Sequence, residues 1–131
     1  LNEDVVVPFD RQLELLEHVE RIHADTGLPT PTFGHAADGN FHVHIMYDDA
    51  DTEASSRARI GIQSLMEKVV SLDGAISGEH GIGQAKKRYL SMELSTESIR
   101  LQFEIKKVFD PNMILNPGKI FPKKDVNNRL F

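Results

Sequence analysis

With 131 residues, 40% of them apolar and 27% charged, the chain has the make-up of an ordinary globular domain and is long enough to bury a core. Lys and Arg number 15 against 20 Asp and Glu, a net charge of -5, which argues against a nucleic-acid or anionic-membrane binder because both need a basic face. Cysteine is absent, so disulfides and thiolate metal sites are excluded and any metal must be held by His, Asp, Glu or backbone oxygen.

The elements are read in chain order. Asp4-Val5-Val6-Val7-Pro8 is a β-branched run closed by proline, a short strand. Asp10 is placed to cap a helix carrying Leu13, Leu15, Leu16, Val19 and Ile22 at helical spacing, ended by Gly27 and Pro29. Pro31 to Ala36 and Phe41 to Tyr47 read as two strands, and the acidic segment Asp48 to Thr52 as a loop and N-cap. A long helix follows with an apolar stripe of Ile62, Leu65, Met66, Val69 and Val70, up to Asp73-Gly74. Beyond the glycine-rich stretch Ser77 to Gly83, a short helix spans Lys86 to Tyr89, and Ser95 caps a last helix with Ile99, Phe103, Val108 and Phe109 on one side. The tail from Ile114 to Phe121 is rich in turn residues yet apolar, so it is expected to pack on something. The pattern predicts an α+β fold, a small and mainly antiparallel sheet with helices packed on one face, as in a ferredoxin-like sandwich. No apolar run approaches the roughly 20 residues of a membrane span, and nothing reads as a signal peptide. A cytoplasmic location is the default expectation, although Leu1 is not a natural start residue and the chain is expected to be a piece of a longer protein whose targeting segments this sequence does not show.

Residues 34–44 hold three of the six histidines around a turn-forming Asp-Gly. If Asp38-Gly39 form a two-residue type I′ turn, His35 stands opposite His42, with Cβ atoms roughly 4.5–5.5 Å apart. His44 shares that face, while Phe41, Val43 and Ile45 point to the core. Three imidazoles on one strand face suit a divalent metal, and they equally suit a hydrogen-bonded surface; at this point both readings stand.

Two histidines are usually completed by a carboxylate. Glu79, between Gly78 and His80-Gly81, is the best candidate because backbone next to glycine can approach a ligand closely. His80 beside it suits a general base. A phosphate loop fails in detail: Gly78 and Gly83 have the spacing, but Gln84-Ala85 replace the required Lys-Ser/Thr. The dinucleotide fingerprint fails as well, since Lys86 stands where its third glycine belongs. A basic cluster at Lys86-Lys87-Arg88 could serve an anionic small molecule, and His18 and His23 read as structural or exposed.

In this order, Glu3 to Pro8, His35 to His42, Ser77 to Gly83 and Asp110-Pro111 through Asn116-Pro117-Gly118-Lys119 closely resemble the C-terminal domain of FAD-linked oxidases of the glycolate oxidase, D-lactate dehydrogenase and D-2-hydroxyglutarate dehydrogenase type. The resemblance makes residues 1–131 the C-terminal, cap and substrate portion of a larger flavoprotein, whose FAD-binding domain lies outside this chain and is its expected partner. It implies a zinc- or manganese-like ion on His35, His42 and Glu79, with His80 contacting substrate and accepting its hydroxyl proton. Asn116 and Lys119 are expected near the flavin. Two departures stand out: Ala37 replaces a common glycine, and His44 stands where hydroxyglutarate-type enzymes carry a substrate-contacting asparagine. His44 is still expected to contact substrate, but the departure counts against hydroxyglutarate; the expected substrate is a D-2-hydroxy acid of the glycolate or D-lactate class, oxidised to its 2-oxo acid. The chain alone is expected to bind metal without turnover. Readings from other classes are a self-sufficient metal hydrolase, for which two histidines and a glutamate would serve, and a non-catalytic interaction domain.

Overall fold

The computed structural model describes residues 1–121, which fall into two compact units, Leu1–His80 and a second beginning at Gly81. In the first unit, β1 (Asn2–Val6), α1 (Gln12–Thr26), β2 (Thr32–His35), β3 (Asn40–His44) and α2 (Thr52–Ser71) follow one another. The three strands form one antiparallel sheet in the order β1-β3-β2. After α2 the chain returns to the free edge of β1 through an antiparallel bridge between Val6 and Ala75, with N–H···O distances of 3.0 and 2.8 Å. This is the β-α-β-β-α-β path of the ferredoxin-like sandwich, with its fourth strand reduced to a bridge.

One sheet face is the core. Val5 and Val7 from the first strand segment and Phe41, Val43 and Ile45 from β3 and its continuation are buried with Leu15, Val19 and Ile22 of α1 and Ala58, Ile62, Leu65, Met66 and Val69 of α2. At Gly61 a Cβ would lie 2.8 Å from Ile45 Cδ1 and 3.0 Å from Ile22 Cγ2, so the missing side chain lets α2 lie against both the sheet and α1. The predicted stripe on α2 is buried in four of its five positions, Val70 being half-buried. On α1 the stripe is narrower than its leucine content suggests: Leu15, Val19 and Ile22 are buried, whereas Leu13 and Leu16 are exposed. Leu15, Val19 and Ile22 are spaced four and three apart, one helical face, while Leu13 and Leu16 lie to its side.

Capping follows the sequence in part. Asp51 accepts hydrogen bonds from Glu53 and Ala54 N–H, both at 2.9 Å, and Gly27 closes α1 in the left-handed region. Asp10 caps nothing; it lies inside a single 3-10 turn, Phe9–Arg11, which Pro8 initiates and which runs straight into α1.

The predicted two-residue turn is also replaced. A 3-10 turn, Ala36–Asp38, and Gly39 form a four-residue connection, so His35 pairs with Asn40 and Phe33 with His42. Gly39 closes this turn at φ 70°, and a Cβ there would lie 2.1 Å from the Val7 carbonyl oxygen, whose residue donates its N–H to Gly39 O at 3.0 Å. Gly39 therefore ends the longer turn packed tightly against Val7. Because the register differs from the expectation by two residues, every side chain keeps its predicted face.

In the second unit, a 3-10 turn at Lys87–Tyr89 leads into α3 (Leu90–Glu93) and then α4 (Thr96–Phe109), capped by Ser95, whose Oγ accepts from Ser98 N–H at 3.2 Å. Leu90, Ile99 and Phe121 make a small core with Ile82, Leu94 and Phe103 against it. Val108 and Phe109 are exposed, contrary to the sequence reading: the buried face that starts at Ile99 and Phe103 continues to Lys106 and Asp110 instead. Asp110 accepts from Lys106 Nζ at 2.8 Å and from Ile114 and Leu115 N–H at 3.0 and 2.9 Å. The lysine beside it, and then these N–H groups, hold its carboxyl below the usual range. Of the tail, Phe121 is buried, but Ile114 and Leu115 are exposed. Among the described residues no helix is long and apolar enough to cross a membrane.

His18 joins the two long helices, its Nε2 lying 3.2 Å from Ser64 O and 3.0 Å from Ser64 Oγ. Burial lowers its pKa from the ordinary 6.5, more than the Ser64 bond raises it, with Arg21 and Lys68 adding to the lowering. A histidine depressed in the folded state contributes stability that is complete above its unfolded value and is lost as pH falls through the folded one. The thermal midpoint should therefore drop as pH falls below about 6.5, and that of His18→Gln should drop less over the same range. Identical drops for the two proteins would contradict this account.

Candidate functional site

The sheet face opposite the core carries the chemistry. Period-two alternation along β3 puts Asn40, His42 and His44 on that face, and the register sets His35 and Phe33 of β2 and Asp4 of β1 beside them. The loop after α2 covers this row with Ser77, Gly78, Glu79 and His80.

Three donors face one another. Glu79 Oε1 lies 3.4 Å from His42 Nε2, 4.0 Å from His35 Nε2 and 3.8 Å from His80 Nε2. The donor atoms of His35, His42 and Glu79 all fall within 4.8 Å of one another. The two imidazoles meet diagonally across the strands rather than directly opposed, with ring centroids 5.9 Å apart and nearly perpendicular planes. His80 stacks on His42 with centroids 5.0 Å apart. His42 is buried at the base of the group, while His35, Glu79 and His80 are exposed, so the cluster opens to one side. Nitrogen, nitrogen and carboxylate oxygen are an ordinary donor set for a zinc- or manganese-like ion. With bonds of roughly 2.0–2.2 Å, neighbouring ligand atoms lie roughly 3–3.6 Å apart. The 3.4 Å between His42 and Glu79 meets that figure, and His35 needs only a small inward adjustment. The residues present fit such an ion.

A second set, Asp4, His42 and His80, also brings three donor atoms within 4.8 Å. It is the poorer candidate because Asp4 is already engaged. Its Oδ2 accepts from Gly78, Glu79 and His80 N–H at 2.8, 2.8 and 2.9 Å and from Ser77 Oγ at 3.2 Å, and its Oδ1 accepts from Asn40 Nδ2 at 2.7 Å.

His44 lies on the same strand face, its ring 5.1 Å from that of Phe33, and its buried Nε2 has no hydrogen-bond partner among the described residues. Asn116 and Lys119 lie on an exposed turn of the second unit, where Lys119 N–H donates to Asn116 O at 3.3 Å. His23 is structural, its Nδ1 2.7 Å from Leu28 O. Sequence reasoning missed three members of the face: Asp4, Asn40 and Phe33. Asp4 left a signal, since an aspartate is out of place inside a β-branched run unless a buried partner awaits it. Phe33 alternates in phase with His35 and so belonged to the same face. The role of Gly78 also differs from the expectation. A Cβ at Gly78 would lie 1.8 Å from Asn40 Nδ2 and 2.6 Å from Asp4 Oδ1, so the glycine lets the loop backbone reach Asp4. Gly78→Ala must push those groups apart and should destabilise the protein by about 1–3 kcal/mol in urea unfolding, the usual range for overpacking. A change below about 0.5 kcal/mol, as at an ordinary surface position, would refute the tight fit.

Comparison with known proteins adds an independent finding. Residues 1–120 match the family model for FAD linked oxidases, C-terminal domain. The chain is 40% identical over 118 residues to a D-lactate dehydrogenase of Anaerostipes hadrus, covering 89% of this chain and 25% of that protein. It is 38% identical over 121 residues to the glycolate oxidase subunit GlcD of Bacillus subtilis, covering 92% of this chain and 26% of that one. Against a D-2-hydroxyglutarate dehydrogenase of Xanthomonas citri the identity is 43% over 95 residues, 71% of this chain and 20% of the other. The chain thus spans about a quarter of the length of the curated relatives it matches.

Proposed function

Because this chain belongs to the family of FAD-linked oxidase C-terminal domains, we propose that it supplies the substrate side of a flavoenzyme that oxidises a D-2-hydroxy acid of the glycolate or D-lactate class. His35, His42 and Glu79 hold a divalent ion, zinc or manganese, and His80 is the base. The observation that carries this reading is the meeting of two imidazole nitrogens and a carboxylate oxygen within 4.8 Å, with a third imidazole stacked beside them.

When bound, the metal supplies Lewis-acid polarisation of the substrate oxygens and the flavin supplies the hydride acceptor. The rest falls to the chain's own side chains. The exposed edge of the cluster, formed by His35, Glu79 and His80, admits a small anion with a carboxylate and a neighbouring hydroxyl. His80 takes the hydroxyl proton, a task suited to an imidazole because it changes charge near neutral pH. Stacking on the buried ring of His42 limits how His80 can turn. Phe33 and His44 lie side by side further along the same strand face, their rings 5.1 Å apart, and bound the site on that side. Asn116 and Lys119, exposed on their turn, are available to a flavin held by another domain. Family membership weighs against the hydrolase reading, which has no use for a flavin.

The purified 131-residue chain should take up one zinc or manganese ion and should not oxidise glycolate or D-lactate. Paired substitution of His35→Ala and Glu79→Ala should weaken uptake by more than the roughly 10–100-fold typical of outer-shell changes, read by equilibrium dialysis with metal analysis. Unchanged affinity in the paired variant would overturn the ligand assignment, and hydroxy-acid turnover by the chain alone would overturn the need for a flavin from elsewhere.

A further inference from the structure

Asp4 takes no part in the reaction proposed above, yet it touches nearly every element of the site. Its side chain is completely buried. Register places it across from His42, so that Oδ1 faces His42 Nδ1 at 3.9 Å, and that nitrogen has no hydrogen-bond partner among the described residues. On its other side, Oδ2 gathers three consecutive backbone N–H groups, those of Gly78, Glu79 and His80, with the Ser77 hydroxyl as a fourth donor. Successive N–H groups turned on one oxygen form a nest, a concavity that favours an anion.

We propose that Asp4 is the positioning residue of this site: its carboxylate fixes the backbone of residues 77–80 and so sets Glu79 and His80 against His42. The loop belongs to no helix or named strand. Among the described residues, the N–H groups of Gly78, Glu79 and His80 have Asp4 as their hydrogen-bond partner and no other. Gly78 is the entry point, since any side chain there would collide with Asp4 and Asn40. Asn40 completes the clamp through its bond to Oδ1, which ties the carboxylate to β3 next to His42. One buried anion thereby joins the strand that carries His42 to the loop that carries Glu79 and His80. A neutral amide at position 4 keeps the shape but is a weaker acceptor for three N–H groups.

The consequence for metal affinity rests on the ligand reading above, whereas the ordering of the loop does not, and the test separates them. Loop order is read by amide hydrogen exchange at Gly78, Glu79 and His80, without metal. Asp4→Asn should raise exchange at these three amides roughly tenfold or more, through local opening. Cobalt binding, followed by its visible absorption, should weaken roughly 10–100-fold with an altered spectrum. Val5→Ala, a core truncation on the neighbouring residue, serves as the stability control and should leave the cobalt affinity and spectrum unchanged. If Asp4→Asn does not fold, the exchanged pair Asp4→Asn with Asn40→Asp retains the hydrogen bond between positions 4 and 40 and the total charge; it should show the same losses. Wild-type exchange at the three amides in the folded variant would overturn the proposal, as would wild-type cobalt affinity together with a wild-type spectrum. Should the unaltered chain bind no cobalt while the exchange result holds, the ligand assignment fails and Asp4 remains the positioning residue.

Discussion

A carboxylate removed from water must recover its lost solvation from donors close at hand, and at Asp4 the donors include three backbone amides, a serine hydroxyl and an asparagine amide. The requirement runs in both directions. The anion is tolerated in the interior only because the loop closes over it, and the loop takes its path because the anion collects its N–H groups. The bridge from Val6 to Ala75 makes this possible, since it returns the chain to the edge of β1 two residues before Ser77. Without that short pairing, residues 77–80 would have no reason to cross the sheet face at Asp4.

The sheet separates two tasks by parity. Along β3, Phe41 and Val43 face the helices while Asn40, His42 and His44 face the loop. The apolar half makes the strand rigid by burying it beneath α1 and α2, and the polar half inherits that rigidity. A buried His42 is the fixed point of the cluster, around which the exposed His35, Glu79 and His80 stand. Such a division suits a site that must hold its inner ligand firmly and still admit a small molecule from outside.

The second unit uses the same device for a different end. Asp110 gathers Lys106 and the N–H groups of Ile114 and Leu115, ending α4 and turning the tail around one carboxylate. Its charge partner sits one helical turn earlier, which places that lysine among the last carbonyls of the helix, where a cation is favoured. Here the arrangement ends a helix; at Asp4 it holds the loop that carries Glu79 and His80.

Much of this could be read from the residues themselves. Helical spacing in α2, alternation in β3 and the caps at Asp51 and Ser95 are local, because a helix or strand imposes its own period on whatever it buries. The division of His35, His42 and His44 from Phe41 and Val43 was equally legible, and it survived a mistaken turn because a two-residue shift preserves parity. Glu79 and His80 stood out by their place among glycines. What tertiary structure alone decided was contact across distance in the chain. The four-residue turn, closed by Gly39 against Val7, makes the histidine pair diagonal. Asp4 met residues 77–80 only because the sheet and the bridge brought segments more than seventy residues apart into one cluster. A residue's own neighbours in sequence specify its period and face, but the partner that fills a buried group's valence is chosen by the fold.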